Sequence, residues 1–273
     1  MSNIILLDRN VISLIKDINS GKAITDSNKL CMADRLRKLD SSENKISPIF
    51  SIIEGQKGRP ENLQEKEETA EIETAELRKF FKNAHVDKYP TDNVGDLYAA
   101  LNIDSSYVNT EKAMKSFLRK ASDILKNPVS QSTRDSVADS IFLLAKECKI
   151  SSHEGGIFAL LLALLCLYRD NNALKVIKFK KEKKIKLYNA LNDIFHFINF
   201  IRIKAYLANL NSSKHLEFVT MDKALDGLFS YIRDVNVEDT NNQQIIAYKL
   251  FFSEAITNIL PDRILKELQL FRA

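Results

Sequence analysis

Apolar residues follow two patterns along this chain. Near the start, Ile4-Ile5-Leu6-Leu7 run without a polar break and end on Asp8. Such a run suits a strand buried on both faces, as in a parallel sheet. Leu216-Glu217-Phe218-Val219-Thr220 is a second strand of the buried type and ends on Met221-Asp222. A third is predicted near Ile46–Phe50, because Pro48 disfavours helix and holds Ser47 extended. Tyr231–Val237 adds a short strand. Elsewhere apolar positions recur at helical spacing. Helices are predicted from Val11 to Lys16 with Asn10 as cap, after Asp26 with Leu30, Ala33, Leu36 and Leu39 on one side, and from about Ser51. Others run over Glu111–Lys126, Thr133–Lys149, Ile157–Tyr168, Ile185–Asn209, Lys223–Tyr231, Asn241–Leu260 and Pro261–Phe271. Ser151 and Glu154 form a capping box ahead of Ile157.

Strands carrying carboxylates at their ends, each followed by a helix, predict an α/β fold: a small parallel sheet flanked by helices, with a largely helical insertion. Composition shifts at Lys57-Gly58-Arg59-Pro60, and 61–150 offers no clear buried strand. The expected organisation is a discontinuous core over 1–60 and 151–240, a helical insertion over 61–150, and C-terminal helices over 241–273 packing on the core. Glu61–Glu76 holds seven Glu and one Lys and reads as a solvated helix.

The 273 residues are 45% hydrophobic, ample for a real core, and seven Gly and five Pro are few enough that long helices should dominate. Cys31, Cys148 and Cys166 lack metal spacing and read as reduced core thiols, which with no signal peptide before Asp8 suggests a cytoplasmic protein. The most apolar run, Ile157–Tyr168, is too short to span a bilayer. Forty Lys and Arg against 36 Asp and Glu leave a net charge of +4, which permits nucleic-acid binding without demanding it. Lys175–Lys186 holds seven Lys and one Glu. It is a solvated face or, through Lys180, Lys181, Lys183 and Lys184, a phosphate-binding surface.

In a parallel sheet Asp8 and Asp222 face the same way, at the strand ends where open α/β sheets gather ligands. Glu54 and Asp193 come from helices expected beside them. Three or four clustered carboxylates repel one another in a poorly solvated cleft, and a hard divalent cation is the usual compensation. Plainer roles exist for each. Asp8 and Asp222 suit turns or caps, Glu54 would offset a dipole in the first turn of its helix, and Asp193 shares a helix face with Asn189. His196, three residues on, reads as a part-buried core residue, and Asp226 as an exposed helix carboxylate.

Leu7-Asp8-Arg9-Asn10, Phe50-Ser51-Ile52-Ile53-Glu54-Gly55, Asn189-Ala190-Leu191-Asn192-Asp193 and Phe218-Val219-Thr220-Met221-Asp222 together resemble the PIN-domain nucleases, over about 1–60 and 150–240. The resemblance implies a small parallel sheet whose acids bind Mg²⁺ or Mn²⁺ and cut RNA, less often DNA. Asp8, Glu54, Asp193 and Asp222 would then be the catalytic metal ligands, with Asn10 and Thr220 shaping the site. Arg9 stands where many members have a small hydroxyl residue, and its guanidinium either contacts phosphate or pairs with a site carboxylate. The long gap from Glu54 to Asp193 departs from compact members, and Asn189 or Asn192 competes with Asp193 as third ligand. By analogy the role would be a bacterial toxin or phage-defence effector, with a protein inhibitor or defence-system partner. A homo-oligomer stays open. The rival reading is a non-catalytic scaffold binding a protein through its helical insertion. A phosphohydrolase with Asp8 as nucleophile ranks last, because a haloacid-dehalogenase-like site wants Asp where Asn10 stands.

Overall fold

The apolar run after Asn3 becomes one of the two inner strands of a parallel sheet, where burial on both faces suits it. The computed structural model describes residues 3–55, 59, 61–102, 105–150, 155–179, 187–209, 214–239 and 246–271. β1 (Asn3–Leu7) pairs with β2 (Asn44–Ser47), β2 pairs outward with the two-residue β3 (His85–Val86), and β4 (Leu216–Val219) takes the other edge of β1. All three pairings are parallel, in the order β3-β2-β1-β4. The α/β expectation of a small parallel sheet flanked by helices therefore holds in outline.

The chain forms two compact units, 1–103 with 210–226, and 104–209 with 227–273. In the first, α1 (Arg9–Asn19), α2 (Ser27–Lys38), α3 (Ile49–Glu54), α4 (Leu63–Phe80), α5 (Tyr89–Asp92) and α6 (Val94–Asn102) accompany the sheet. Ile5, Leu7, Val11, Ile15, Leu36, Ile46, Leu77 and Val219 share one core.

The structure departs from expectation at several points. Asn10 lies inside α1, and Asp8 holds the N-cap position. Pro48 sits at the N-cap of α3, where its fixed φ and missing N–H are tolerated, so the helix starts at Ile49 and Glu54 falls in its last turn. Glu61–Glu76 is not solvated throughout: Lys66, Thr69, Ala70, Glu73, Thr74 and Leu77 of α4 are buried. With β3 following, 61–102 lies in the sheet-bearing unit, and the expected boundary at 61 moves to about 103. Leu30 and Cys31 are exposed on α2.

The second unit holds α7 (Ser105–Leu125), α8 (Arg134–Glu147), α9 (Ile157–Leu167), α10 (Asn171–Ile177) and α11 (Leu187–Asn209). α9 is buried from Phe158 to Leu167. No single described helix is long and apolar enough to cross a membrane, and α9 and α10 are bent by 119° at Tyr168–Asp170. Asp170 caps α10 through Ala173 N at 2.7 Å and accepts the Tyr231 hydroxyl at 2.5 Å. Within the expected helix Asn241–Leu260, the described residues do not continue as one helix. Ile246–Phe252 is a strand, β6, antiparallel to β5 (Ile232–Asp239), as its aromatic and β-branched residues favour. Short helices Glu254–Thr257 and Asp262–Leu270 close the chain. The Ser151–Glu154 capping box lies outside the described residues.

Asp40 holds the entry to β3. Its carboxylate accepts Lys82 N at 3.1 Å and Asn83 N and Ala84 N at 2.8 Å each. Desolvation pushes its pKa up, but these N–H groups outweigh it and the net shift is downward. Asp40→Ala should cost about 1–2 kcal/mol in urea unfolding. The parent should lose this contribution as pH falls through the depressed carboxyl pKa, whereas the variant should show no such loss.

Candidate metal centre

The two strand-end aspartates have been put to different uses. Asp222 precedes the helix Lys223–Phe229, and its Oδ1 accepts Ala224 N at 2.8 Å and Leu225 N at 3.1 Å. It is an exposed helix cap. Asp8 stands at the equivalent place before α1, yet its side chain makes no capping bond. It is only 5% exposed. Instead, Oδ2 accepts the Thr220 hydroxyl at 2.5 Å and Asn10 Nδ2 at 2.6 Å. Among the described residues Oδ1 receives no hydrogen bond, so one carboxylate oxygen is held and the other left available.

Asn10 and Thr220 tie this arrangement to the sheet. Asn10 Nδ2 also donates to Thr220 Oγ1 at 3.1 Å, and its Oδ1 accepts Met221 N at 3.0 Å. Thr220 Oγ1 further accepts Asp222 N at 2.9 Å. The ends of the neighbouring strands β1 and β4 are thus locked around the Asp8 carboxylate. Asn10 and Thr220 both donate to the Asp8 carboxylate.

Glu54 brings the second carboxylate, with an oxygen within 4.8 Å of one on Asp8. Its side chain is 16% exposed. Burial pushes its pKa from 4.5 up to about 7, Arg9 opposes the rise, and Asp8 and Glu73 add to it. As the last residue of α3, Glu54 also sits at the negative end of its helix, which disfavours a carboxylate. Arg9 Nη1 pairs with Glu54 Oε1 at 3.3 Å and donates to Gly55 O at 2.6 Å. Gly55 turns the chain out of α3 at φ +75°, a conformation that favours glycine.

Behind α3 lies a buried charged group that sequence patterning did not single out. Lys66 Nζ donates to Ile52 O at 2.8 Å and Ile53 O at 2.9 Å, carbonyls of the α3 last turn. Burial lowers the Lys66 pKa, against the pull of Glu61, Glu73 and Glu54. Glu73 is wholly buried, and its Oε1 accepts Ser51 Oγ at 2.9 Å and Lys16 Nζ at 3.4 Å. The available signal was spacing: Lys66, Thr69, Ala70, Glu73, Thr74 and Leu77 fall at helical intervals, but mostly as polar residues.

The donor set suits a hard divalent cation. Asp8 and Glu54 offer only oxygen, and their mutual repulsion and poor solvation are what such an ion relieves. Asp193 is half-buried on α11 and His196 is buried on the same helix, both in the second unit. Asn189 and Asp226 are exposed. Lys180, Lys181, Lys183 and Lys184 lie outside the described residues. No protein-family model matches the chain, and no curated protein and no solved structure matches it either.

The charges have two measurable consequences. In chelator, the folded chain binds the Glu54 proton more tightly than the unfolded chain. Stability from this group is therefore full below about pH 4.5 and lost as pH rises through about 7. The loss should be on the order of 3 kcal/mol, and Glu54→Gln should flatten that part of the pH–stability curve measured by urea unfolding. Asp222→Asn should stay within about 0.5 kcal/mol of the parent because Asn caps as well, whereas Asp222→Ala should lose about 1 kcal/mol. Melting temperatures with and without Mn²⁺ should shift equally for the parent and Asp222→Asn if Asp222 only caps.

Proposed function

We propose that this chain is a metal-dependent nuclease on a PIN-like core, an endoribonuclease hydrolysing phosphodiester bonds with Mg²⁺ or Mn²⁺ as cofactor. The observation that carries the reading is the Asp8 carboxylate. It ends an inner parallel strand, is withheld from the helix it could cap, and has one oxygen held by Asn10 and Thr220 with Glu54 opposite. A fold that needed only a cap would use this aspartate as it uses Asp222. Asp8 and Glu54 would hold the ion, which when bound supplies an acidified water and neutralises charge at the leaving oxygen.

The chain's own groups prepare that state. Asn10 and Thr220 fix the Asp8 rotamer, so little side-chain freedom is lost on binding. Arg9 offsets part of the acid-pair charge before an ion arrives. Glu54, with its pKa near 7, carries a proton part of the time at neutral pH and must release it to become a ligand. Mn²⁺ affinity should therefore weaken as pH falls below about 7, approaching tenfold per unit, with proton release visible by calorimetry in two buffers.

RNA as the substrate, with DNA second, follows the PIN resemblance, as does a role as a toxin or phage-defence effector. One observation favours the rival scaffold reading: Asp222 is engaged as a cap and exposed. Incubation with total RNA separates the two. The nuclease should cut in Mn²⁺, stop in excess chelator, and lose at least about a hundredfold in rate on Asp8→Asn, on the order of 3 kcal/mol of transition-state stabilisation. Cleavage unchanged in chelator would refute the metal mechanism, and no cleavage of any RNA or DNA would favour the scaffold.

A further inference from the structure

Arg9 follows the strand-end aspartate directly, and a cation so close to two acids would ordinarily be spent on them. The structure spends only part of it. Nη1 makes both contacts, to Gly55 O at 2.6 Å and to Glu54 Oε1 at 3.3 Å. A guanidinium has five N–H donors in one plane. Among the described residues, Nε and Nη2 donate no hydrogen bond, and they share the side edge of the fork. The side chain is 33% exposed. It is thus braced at one corner against the end of α3, with a two-donor edge left over.

The geometry points to Arg9 as a phosphate-docking residue, its Nε and Nη2 receiving two oxygens of a phosphate group while Nη1 stays on Gly55 O and Glu54. This edge matches phosphate and carboxylate alike. Phosphate is favoured because a planar carboxylate spends both oxygens on the fork, whereas a tetrahedral phosphate keeps others to face an ion held by Asp8 and Glu54. That preference rests on the nuclease reading. The bracing of Nη1 does not, and it makes the fork rigid before a ligand arrives, which reduces the ordering cost of binding. Pairing with a carboxylate and contacting phosphate then become simultaneous uses of two edges of one side chain.

The test is calorimetric titration of inorganic phosphate into the full chain with Mg²⁺ at low salt, for the parent, Arg9→Lys and Arg9→Met. Mn²⁺ affinity and melting temperature are measured separately for each. Arg9→Met should bind phosphate at least tenfold more weakly. Arg9→Lys should fall between, since a point ammonium cannot span two oxygens. Measured well above neutral pH, where Glu54 is ionised in both proteins, Mn²⁺ affinity of Arg9→Met should be unchanged or tighter, because a competing cation has left Glu54. Phosphate affinity equal in parent and Arg9→Met, or no phosphate binding by the parent, would overturn the assignment. So would a joint fall of phosphate affinity, Mn²⁺ affinity and melting temperature, which would make Arg9 a brace only. A parent that binds phosphate through Arg9 yet cuts no RNA would support the docking site and contradict the nuclease.

Discussion

Two carboxylates brought within 4.8 Å of each other, one nearly buried and one largely so, set the terms for the first unit. At an effective dielectric of about 20 their repulsion is on the order of 3 kcal/mol when both are ionised. Burial raises the cost further and keeps Glu54 partly protonated near neutral pH. The surroundings answer this tension from three sides. Thr220 and Asn10 donate to Asp8, Arg9 pairs with Glu54, and Lys66 sits behind the helix that carries Glu54. The proposed divalent ion would relieve what repulsion these contacts leave.

Glu54 reaches Asp8 only because α3 ends where it does. The helix is six residues long, too short to persist by propensity alone, and its last carbonyls would be orphaned without partners. Lys66 supplies donors to two of them, Arg9 takes the Gly55 carbonyl, and Gly55 provides the left-handed exit. Lys66 in turn is tolerable in the interior because Glu61 and Glu73 are buried nearby. The acid pair therefore depends on α4, a helix whose outer charges hide a buried polar face. Removing a member of such a group strands its partners, which is the costly way to perturb buried charge.

Strands β1 and β4 are legible in the sequence because each is a short run with few polar breaks that suits a strand buried in a parallel sheet. The division of labour between Asp8 and Asp222 is not. Both precede a helix, and only the side-chain orientation separates a cap from a held carboxylate. Pro48 hides the placement of Glu54, since proline disfavours helix at most positions yet is welcome at a helix start. β3 is invisible, because two residues carry no periodicity. β6 passes for helix because a segment with apolar residues at close spacing fits both periods, and its partner strand alone decides. The buried face of α4 escapes because hydrophobic patterning cannot see Thr, Lys and Glu as core residues.

The central claim is that Asp8 and Glu54 share one cation, and a double-mutant cycle on Mn²⁺ affinity tests it most directly. Binding would be measured by calorimetry above pH 7.5 for the parent, Asp8→Asn, Glu54→Gln and the double variant. The account predicts that each single variant loses at least tenfold in affinity. The double variant should lose far less than the product of the two, because the site is already broken by the first change. Unchanged Mn²⁺ affinity in either single variant, or strictly multiplicative losses, would contradict a shared ion.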